Sequence, residues 1–371
     1  MGEQLFLGAI AIGIGLVAGV ALFVPFVAIS YRRRGRLSLP RLLLWFAALV
    51  YFWAIWTYTL LPLPEPGSIR CVGMITDPVA IVRDVQRAIA APGSTLTHPA
   101  VLQLAFNVLL FVPLGFFLRV LGGRGILVAL LVGLGLSLFV ETTQLTGVWG
   151  LYPCAYRFFD VGDLLTNTTG SVLGSVFGLV VPRAHRGLAT APDAAMPRPV
   201  TRGRRAVAML CDGIAFFLIS GIVSVATQLF LQYVRHDRAA VLDGAWAALA
   251  GTGGAASLWL IVIAISGRSI GDLAVQLRYT GGPVPMPLAR LLRWAGGVAG
   301  LSALGLLGGL FGPLSSALLF AACVMLFFTR AGRGLPGVLS GQHLTDARAP
   351  GAGDGSGRAT HSVGHSSARS A

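Results

Sequence analysis

The chain has 371 residues, 55% apolar and only 11% charged, with a formal net charge of +14. Soluble domains carry about a quarter charged residues, so composition excludes an ordinary soluble fold. It also excludes a nucleic-acid partner, because too few polar residues remain to build a wetted basic face. All 28 basic residues are arginine, gathered in short segments between long apolar runs, which is the pattern of an all-α, polytopic helical membrane protein whose first partner is the lipid bilayer.

A spanning helix needs about 20 mostly apolar residues. Nine are predicted in chain order: Leu5–Ile29, Leu42–Leu61, Gln103–Leu121, Ile126–Leu145, Leu164–Val181, Ala206–Leu231, Ala245–Ile265, Trp294–Phe311 and Pro313–Thr329. The last two, parted only around Gly312 and Pro313, read as a tight hairpin or one bent segment. The first is not a cleavable leader, since Met1–Gln4 has no basic residue and the apolar run is too long.

Arg32, Arg33, Arg34, Arg36 and Arg41 follow the first span, which places the N-terminus outside and that loop in the cytoplasm. Alternation through nine spans then puts 22 of the 28 arginines inside and the C-terminus in the cytoplasm. Glu3, Glu65, Asp77, Asp84, Asp160, Asp163, Asp237 and Asp243 fall outside or at the outer boundary. A multi-pass protein of the cell membrane results.

Residues 1–181 form a five-helix domain and 182–205, rich in Pro, Ala and Arg, a cytoplasmic linker. Residues 206–341 form a four-helix domain and 342–371 a disordered cytoplasmic tail without apolar period. His361 and His365 in that tail read as ordinary composition rather than metal ligands. Cys211 and Cys323 lie inside spans. Cys71 and Cys154 fall in two predicted outer loops, where a disulfide can form; a bridge and two free thiols are both open.

Ionisable groups at membrane depth are costly and usually pair, face a cavity or carry function. The first half collects several at one level. Asn107 lies near the outer end of the third span, and Glu141 and Gln144 share a face near the outer end of the fourth. Arg157, Asp160 and Asp163 lead into the fifth, with Asn167 one turn beyond Asp163. One reading is a polar pocket in which Arg157 grips a phosphate or carboxylate and Glu141 acts as general acid or base. In that pocket Asp160 and Asp163 take a divalent cation through oxygen ligands; no other cofactor is evident. The other reading is a lock, with Arg157 paired to the acids and the two asparagines satisfying helix ends. Three carboxylates against one guanidinium favour a site that meets a proton, cation or ligand. Pro113 in the third span is read as a kink, and Gly115 as a point of close helix approach.

The runs Asn107-Val-Leu-Leu-Phe-Val-Pro-Leu-Gly115, Glu141-Thr-Thr-Gln144 and Arg157-Phe-Phe-Asp160-Val-Gly-Asp163-Leu-Leu-Thr-Asn167-Thr-Thr-Gly170 resemble, in order and spacing, the three signatures of the VanZ-like family over roughly residues 40–181. The resemblance implies a multi-span membrane protein, and the founding type is tied to low-level resistance to the glycopeptide teicoplanin. It supplies a context and no reaction.

In the second half Arg205 stands at the start of the sixth span and Asp212 two turns in. With Gly267-Arg-Ser-Ile-Gly271-Asp-Leu they resemble the RDD family over roughly residues 200–341, which implies an Arg205 and Asp212 ion pair. Asp272 stands where that family usually has a basic residue, and Pro336-Gly337 where it has His-Asp. Asp212 can also reach the inner interface, or pair with Arg268 or Arg293. The 266–293 loop could touch anionic headgroups, although basic residues there also serve as the topology signal.

Three functions are open: an envelope protein binding or shielding a lipid-linked cell-wall precursor or glycopeptide at the outer leaflet, a membrane enzyme acting on a lipid-linked substrate with Glu141, Asp160 and Asp163, and a transporter. Whether the protein is an enzyme is undecided, since no nucleotide loop, HExxH or nucleophile elbow is present. Transport would call for polar residues near the midplane of both halves, whereas they cluster at one surface.

Overall fold

Long apolar runs satisfy their backbone groups internally when no water is available, so they form helices, and helices dominate the computed structural model. It describes residues 2–61, 63–65, 69–329 and 332–349. Among these, seven helices are long and apolar enough to cross a membrane: Phe6–Arg34, Leu39–Leu60, Pro99–Val120, Ile126–Leu145, Arg202–Tyr233, Ala245–Ser266 and Phe311–Phe328. The chain is thus an all-α, multi-pass membrane protein. It divides into two compact units, one ending at Ala194 and the next starting at Ala195.

In the first unit, α1 (Gly2–Arg34) and α2 (Leu39–Leu60) form a hairpin. The turn between them uses Gly35 at φ 69°, the left-handed position that glycine adopts without strain. The segment after α2 holds β1 (Met74–Ile75) and α3 (Ala80–Ala90), followed by α4 (Pro99–Val120) and α5 (Ile126–Leu145). α6 (Gly147–Gly150) and β2 (Phe159–Asp160) precede α7 (Val161–Phe177). β1 and β2 pair in parallel, Met74 opposite Phe159 and Ile75 opposite Asp160. Cys71 and Cys154 are joined by a disulfide with their Cα atoms 5.5 Å apart, and Val72 donates to the Ala155 carbonyl at 3.1 Å. We call this the disulfide end of the unit.

α4 packs on α7 more extensively than any other pair, because glycines put backbone against backbone. A Cβ at Gly115 would strike the Ser171 carbonyl, one at Gly170 the Val108 carbonyl, and one at Gly174 the Val112 carbonyl. Gly170 and Gly174 form the small-xxx-small spacing that lets membrane helices approach. α7 has 17 residues and is extended by a 3-10 turn over Gly178–Val180, so the predicted fifth span is a glycine-rich helix that begins at Val161, ahead of the predicted Leu164.

The second unit begins earlier than the predicted sixth span, with α8 over Arg202–Tyr233 capped by Thr201, whose side chain accepts from the Arg204 amide. The end of the predicted linker is therefore helix. α9 (Arg238–Asp243) and α10 (Ala245–Ala248) follow, then a π-helical turn at Leu249–Gly253 that leads into α11 (Gly254–Ser266). Next come α12 (Ile270–Ala274), β3 (Leu277–Thr280), α13 (Met286–Ala295), α14 (Val298–Leu304), α15 (Phe311–Phe328), α16 (Gly334–Ser340) and β4 (His343–Asp346). Phe216, Trp259, Ala255, Ala256, Ile263 and Ala299 form its apolar core.

Two boundaries differ from the sequence reading. The predicted span Trp294–Phe311 breaks at Gly296–Gly297 and at Gly308–Gly309, leaving only the short apolar helix Val298–Leu307; Gly312 and Pro313 lie in the first turn of α15 instead of between helices. The predicted tail is ordered at its start, since His343–Asp346 pair antiparallel with Leu277–Thr280. His361 and His365 lie outside the described residues.

Candidate functional site

At the disulfide end, the C-terminus of α2 leaves carbonyls without intrahelical partners, as every helix does. Three side chains from later segments take them. Gln144 Nε2 donates to the Thr59 carbonyl at 2.7 Å, Tyr156 Oη to Leu60 at 3.3 Å, and Arg157 Nη1 and Nη2 to Thr59 at 3.1 Å and Leu61 at 3.5 Å. Among the described residues Arg157 bonds to these carbonyls and makes no ion pair with the acids, which corrects its expected pairing with them. A guanidinium is drawn to the negative end of a helix dipole, and the carbonyls there orient it without cancelling its charge.

The carboxylates gather at the opposite kind of helix end. Asp160 is the N-cap of α7, its Oδ1 accepting from the Gly162 amide at 2.7 Å, and Asp163 stands in the first turn. In a capping box the residue three beyond the cap accepts the cap's own amide. Here buried Glu141 of α5 does so from the neighbouring helix, its Oε2 3.0 Å from the Asp160 nitrogen. Asp163 is left to accept from Asn107 Nδ2 of α4 at 2.6 Å. No ion pair joins Glu141, Asp160 or Asp163 to an arginine among the described residues. No group of three or more His, Cys, Asp or Glu side chains there is arranged to hold a metal ion.

One turn deeper, Asn167 is 5% exposed and donates from Nδ2 to Ser137 Oγ of α5 at 3.0 Å, while its Oδ1 has no partner. The same face of α7 continues through Ser171, whose hydroxyl donates to the Ala129 carbonyl at 2.8 Å. It reaches Ser175, which accepts from Arg119 Nε of α4 at 3.0 Å. Asp163, Asn167, Ser171 and Ser175 thus form a ladder at four-residue intervals, about 18 Å long at 1.5 Å per residue. Ser171 and Ser175 extend the site beyond the residues expected from sequence, and the continued i, i+4 spacing of small polar residues is the signal that marks them.

α6 beside the site turns the wrong way for L-residues. Gly147, Val148, Trp149 and Gly150 have φ of 61°, 56°, 56° and 88°, and each non-glycine there costs about 1–2 kcal/mol. Hydrogen bonds hold it: Trp149 N to Thr146 Oγ1 at 3.1 Å, Trp149 Nε1 to Thr143 Oγ1 at 3.2 Å, and Tyr152 N to the Gly147 carbonyl at 2.8 Å. Gly147 is required, because a Cβ there would lie 2.7 Å from both the Cys154 and Tyr152 carbonyl oxygens. The turn presents Trp149 at the surface, 59% exposed. Over the other side, Ile81 of α3 lies against Gly162 between the two aspartates.

In the second unit the expected pairing of Arg205 with Asp212 gives way to another. Arg205 Nη1 binds Asp272 Oδ1 at 2.6 Å, both side chains about 95% buried. Asp212 accepts instead from Ser269 Oγ at 2.6 Å, the Gly271 amide at 2.8 Å and Trp259 Nε1 at 3.2 Å. The reason is the approach of α12: a Cβ at Gly271 would strike the Ala208 carbonyl, so the α12 amides reach Asp212 and Asp272 swings to Arg205. Arg293 Nη1 donates to the Gly267 carbonyl at 2.6 Å. Arg205 and Arg293 lie 5.7 and 5.0 Å from the Tyr279 ring centre. Burial pushes the Tyr279 phenol above its usual range against the pull of Arg205, and the neutral hydroxyl donates to the Arg333 carbonyl at 3.0 Å. Arg204 binds Asp346 at 2.8 Å and the Val275 and Gln276 carbonyls, pinning β4 and the turn before β3 to α8.

The fold and the constellation at the disulfide end define a multi-pass helical membrane protein with a polar, carboxylate-rich site where α2 and α5 end and α4 and α7 begin. Residues 46–182 match the family model described as VanZ/LLP1, so the N-terminal part of the chain is VanZ-like, and the matched stretch holds every residue of that site. No curated protein and no solved structure matches the chain.

Proposed function

We propose that the VanZ-like unit is a recognition unit of the cell membrane with its disulfide end outward. In this reading it contributes to tolerance of glycopeptides such as teicoplanin by engaging the drug, or the peptide part of a lipid-linked cell-wall precursor, at the outer leaflet. The observation that carries it is the excess of acid in the constellation: three carboxyl groups gather at one helix end against one nearby guanidinium, Arg157, which is held by α2 carbonyls and is ion-paired to none of them among the described residues. The dipole of α7 offsets part of that charge. The remainder attracts ammonium and amide N–H donors and repels phosphate, so contact falls on the amine- or amide-bearing part of the ligand.

Recognition is favoured over acid/base catalysis because Glu141 Oε2 is already engaged by the Asp160 amide. It is favoured over transport because the glycines of α4 and α7 close backbone on backbone along the polar ladder. A divalent cation at Asp160 and Asp163 is a proposal of lower rank, since those carboxylates are not joined by further acidic, His or Cys ligands among the described residues. The RDD-like reading of the second unit rests on Arg205 and Asp212, both buried at the start of α8.

The test is expression of Glu141→Gln and Asp163→Asn in a teicoplanin-sensitive host, scored for drug tolerance and protein abundance together. Loss of tolerance at unchanged abundance is expected. Wild-type tolerance in both variants would remove the site from the account.

A further inference from the structure

Eighteen residues back along α2 from the carboxylate site, about 27 Å at 1.5 Å per residue, the first unit has a second, chemically opposite feature. A cavity of about 260 Å³ opens beside the last turns of α1 and the first turns of α2. Its wall is apolar, built by Pro25 and by Phe26 stacked on Trp45 with ring centres 4.4 Å apart. Its mouth carries Arg33, Arg34 and Arg41.

The partners of these guanidiniums are neutral. Arg33 Nη1 donates to the Leu188 carbonyl at 3.2 Å, Arg34 Nη2 to Gly187 at 3.0 Å, and Arg41 Nη2 to the same Gly187 carbonyl at 2.6 Å. Backbone carbonyls orient a guanidinium without cancelling its charge, and none of the three is in an ion pair with an acidic side chain among the described residues. Three like charges are therefore held around one cavity, each with donors to spare, since a guanidinium carries five N–H groups. A free anion would answer the charge and leave the apolar wall empty. A neutral lipid would fill the wall and leave the charge uncompensated. Both demands are met by one molecule with an anionic phosphate and a hydrocarbon chain, placed where the ends of two spanning helices meet the headgroup layer.

We propose that this cavity binds an anionic phospholipid, its phosphate on Arg33, Arg34 and Arg41 and an acyl chain against Phe26 and Trp45. Arginine suits the role because its planar fork bonds phosphate oxygens in pairs. The lipid thereby ties the α1–α2 hairpin to the segment around Gly187, whose carbonyls the same arginines already hold. This site is separate from the carboxylate site, and its failure leaves the proposed recognition function untouched.

The experiment reconstitutes the full-length protein in phosphatidylcholine vesicles containing a minor fraction of dibrominated phosphatidylglycerol or, in parallel, dibrominated phosphatidylcholine, and reads quenching of tryptophan fluorescence. Trp45→Phe, which keeps the stack on Phe26, identifies the part of the signal that belongs to the cavity. The expected result is a Trp45-dependent quenching with an apparent affinity roughly 100-fold higher for the anionic lipid, the preference that three arginines near a membrane surface provide. Arg33→Gln with Arg41→Gln should abolish the preference. Equal quenching by the two lipids, or no part of it assigned to Trp45, would overturn the proposal. So would full displacement of the brominated lipid by inorganic phosphate, which would mean that the arginines take a free anion. If the double variant does not fold, the wild-type and Trp45→Phe arms still decide the matter.

Discussion

Replacing Glu141 by Ala and by Gln separates its role in the fold from its role in the site. Glu141 is 3% exposed and accepts the Asp160 amide at 3.0 Å. Alanine leaves that buried amide at the start of α7 without an acceptor, which costs about 1–3 kcal/mol; loss of one of three neighbouring carboxylates returns part of this through reduced like-charge repulsion. Glutamine keeps an acceptor oxygen in place and removes the same charge, so the expected change is about 0.5 kcal/mol or less in either direction, the ordinary range for a change that keeps its contacts. At about 2–4 °C per kcal/mol for a unit of this size, Glu141→Ala should melt several degrees below the wild type and Glu141→Gln beside it. The assay is the fraction of purified full-length protein that stays monodisperse in detergent after heating. If Gln destabilises as much as Ala, the negative charge itself holds the fold, and the in-trans capping argument is wrong. If neither changes the melting curve, the bond contributes nothing.

Other outcomes follow from the same packing. Gly115→Ala and Gly174→Ala push a methyl into a backbone carbonyl of the facing helix and should cost about 1–3 kcal/mol each as overpacking, read as lost abundance and lower melting. Gly135→Ala, where a Cβ meets nothing within 4 Å, should be neutral or stabilising, and an equal loss there would refute the close-approach argument. Arg205→Met strands the buried Asp272 carboxylate and should cost about 3–5 kcal/mol, whereas Arg205→Met with Asp272→Leu should recover most of it; a double variant no better than the single one would contradict the pairing. Burial pushes the Asp346 carboxyl up, but hydrogen bonds from Arg348 and Arg204 and from the Arg348 and Arg198 amides outweigh it and hold the group well below the usual carboxylate range. A depressed carboxylate contributes its full stability above its unfolded pKa of about 3.9 and loses it as pH falls through the lower folded value. Protection of the β3 and β4 amides, taken relative to the intrinsic exchange rate at each pH, should therefore fall only in acid, and in Asp346→Asn should be low at every pH; wild-type protection that does not change with pH would contradict this.

Hydropathy made the membrane class legible, and the constellation at the disulfide end was legible because Glu, Asp, Arg and Asn are conspicuous among apolar residues. What escaped the sequence reading was decided by partners distant along the chain. Arg157 and Gln144 answer carbonyls of α2 some 85 to 98 residues away, and a backbone acceptor leaves no mark in a sequence. Arg205 meets Asp272 because Gly271 lets α12 approach α8. The segment around Val298 has the composition of a span, yet paired glycines at 296–297 and 308–309 cut it short. Four residues, His343–Asp346, are too few for a period-2 pattern to stand out, and their partner strand lies more than sixty residues earlier. In α6 the flanking glycines hint at a turn, but nothing about Val148 and Trp149 announces left-handed backbone.

The central claim, that the carboxylates at the start of α7 receive an amine- or amide-bearing envelope ligand, is tested most directly by titrating teicoplanin onto the purified full-length protein and its Asp163→Asn variant. A hydrogen bond to a charged group contributes about 1.5–3 kcal/mol, or roughly 10- to 100-fold in affinity. The account predicts saturable binding to the wild type, weakened by that factor in the variant at an unchanged melting temperature. Binding of equal strength to both proteins, or none to either, would contradict it.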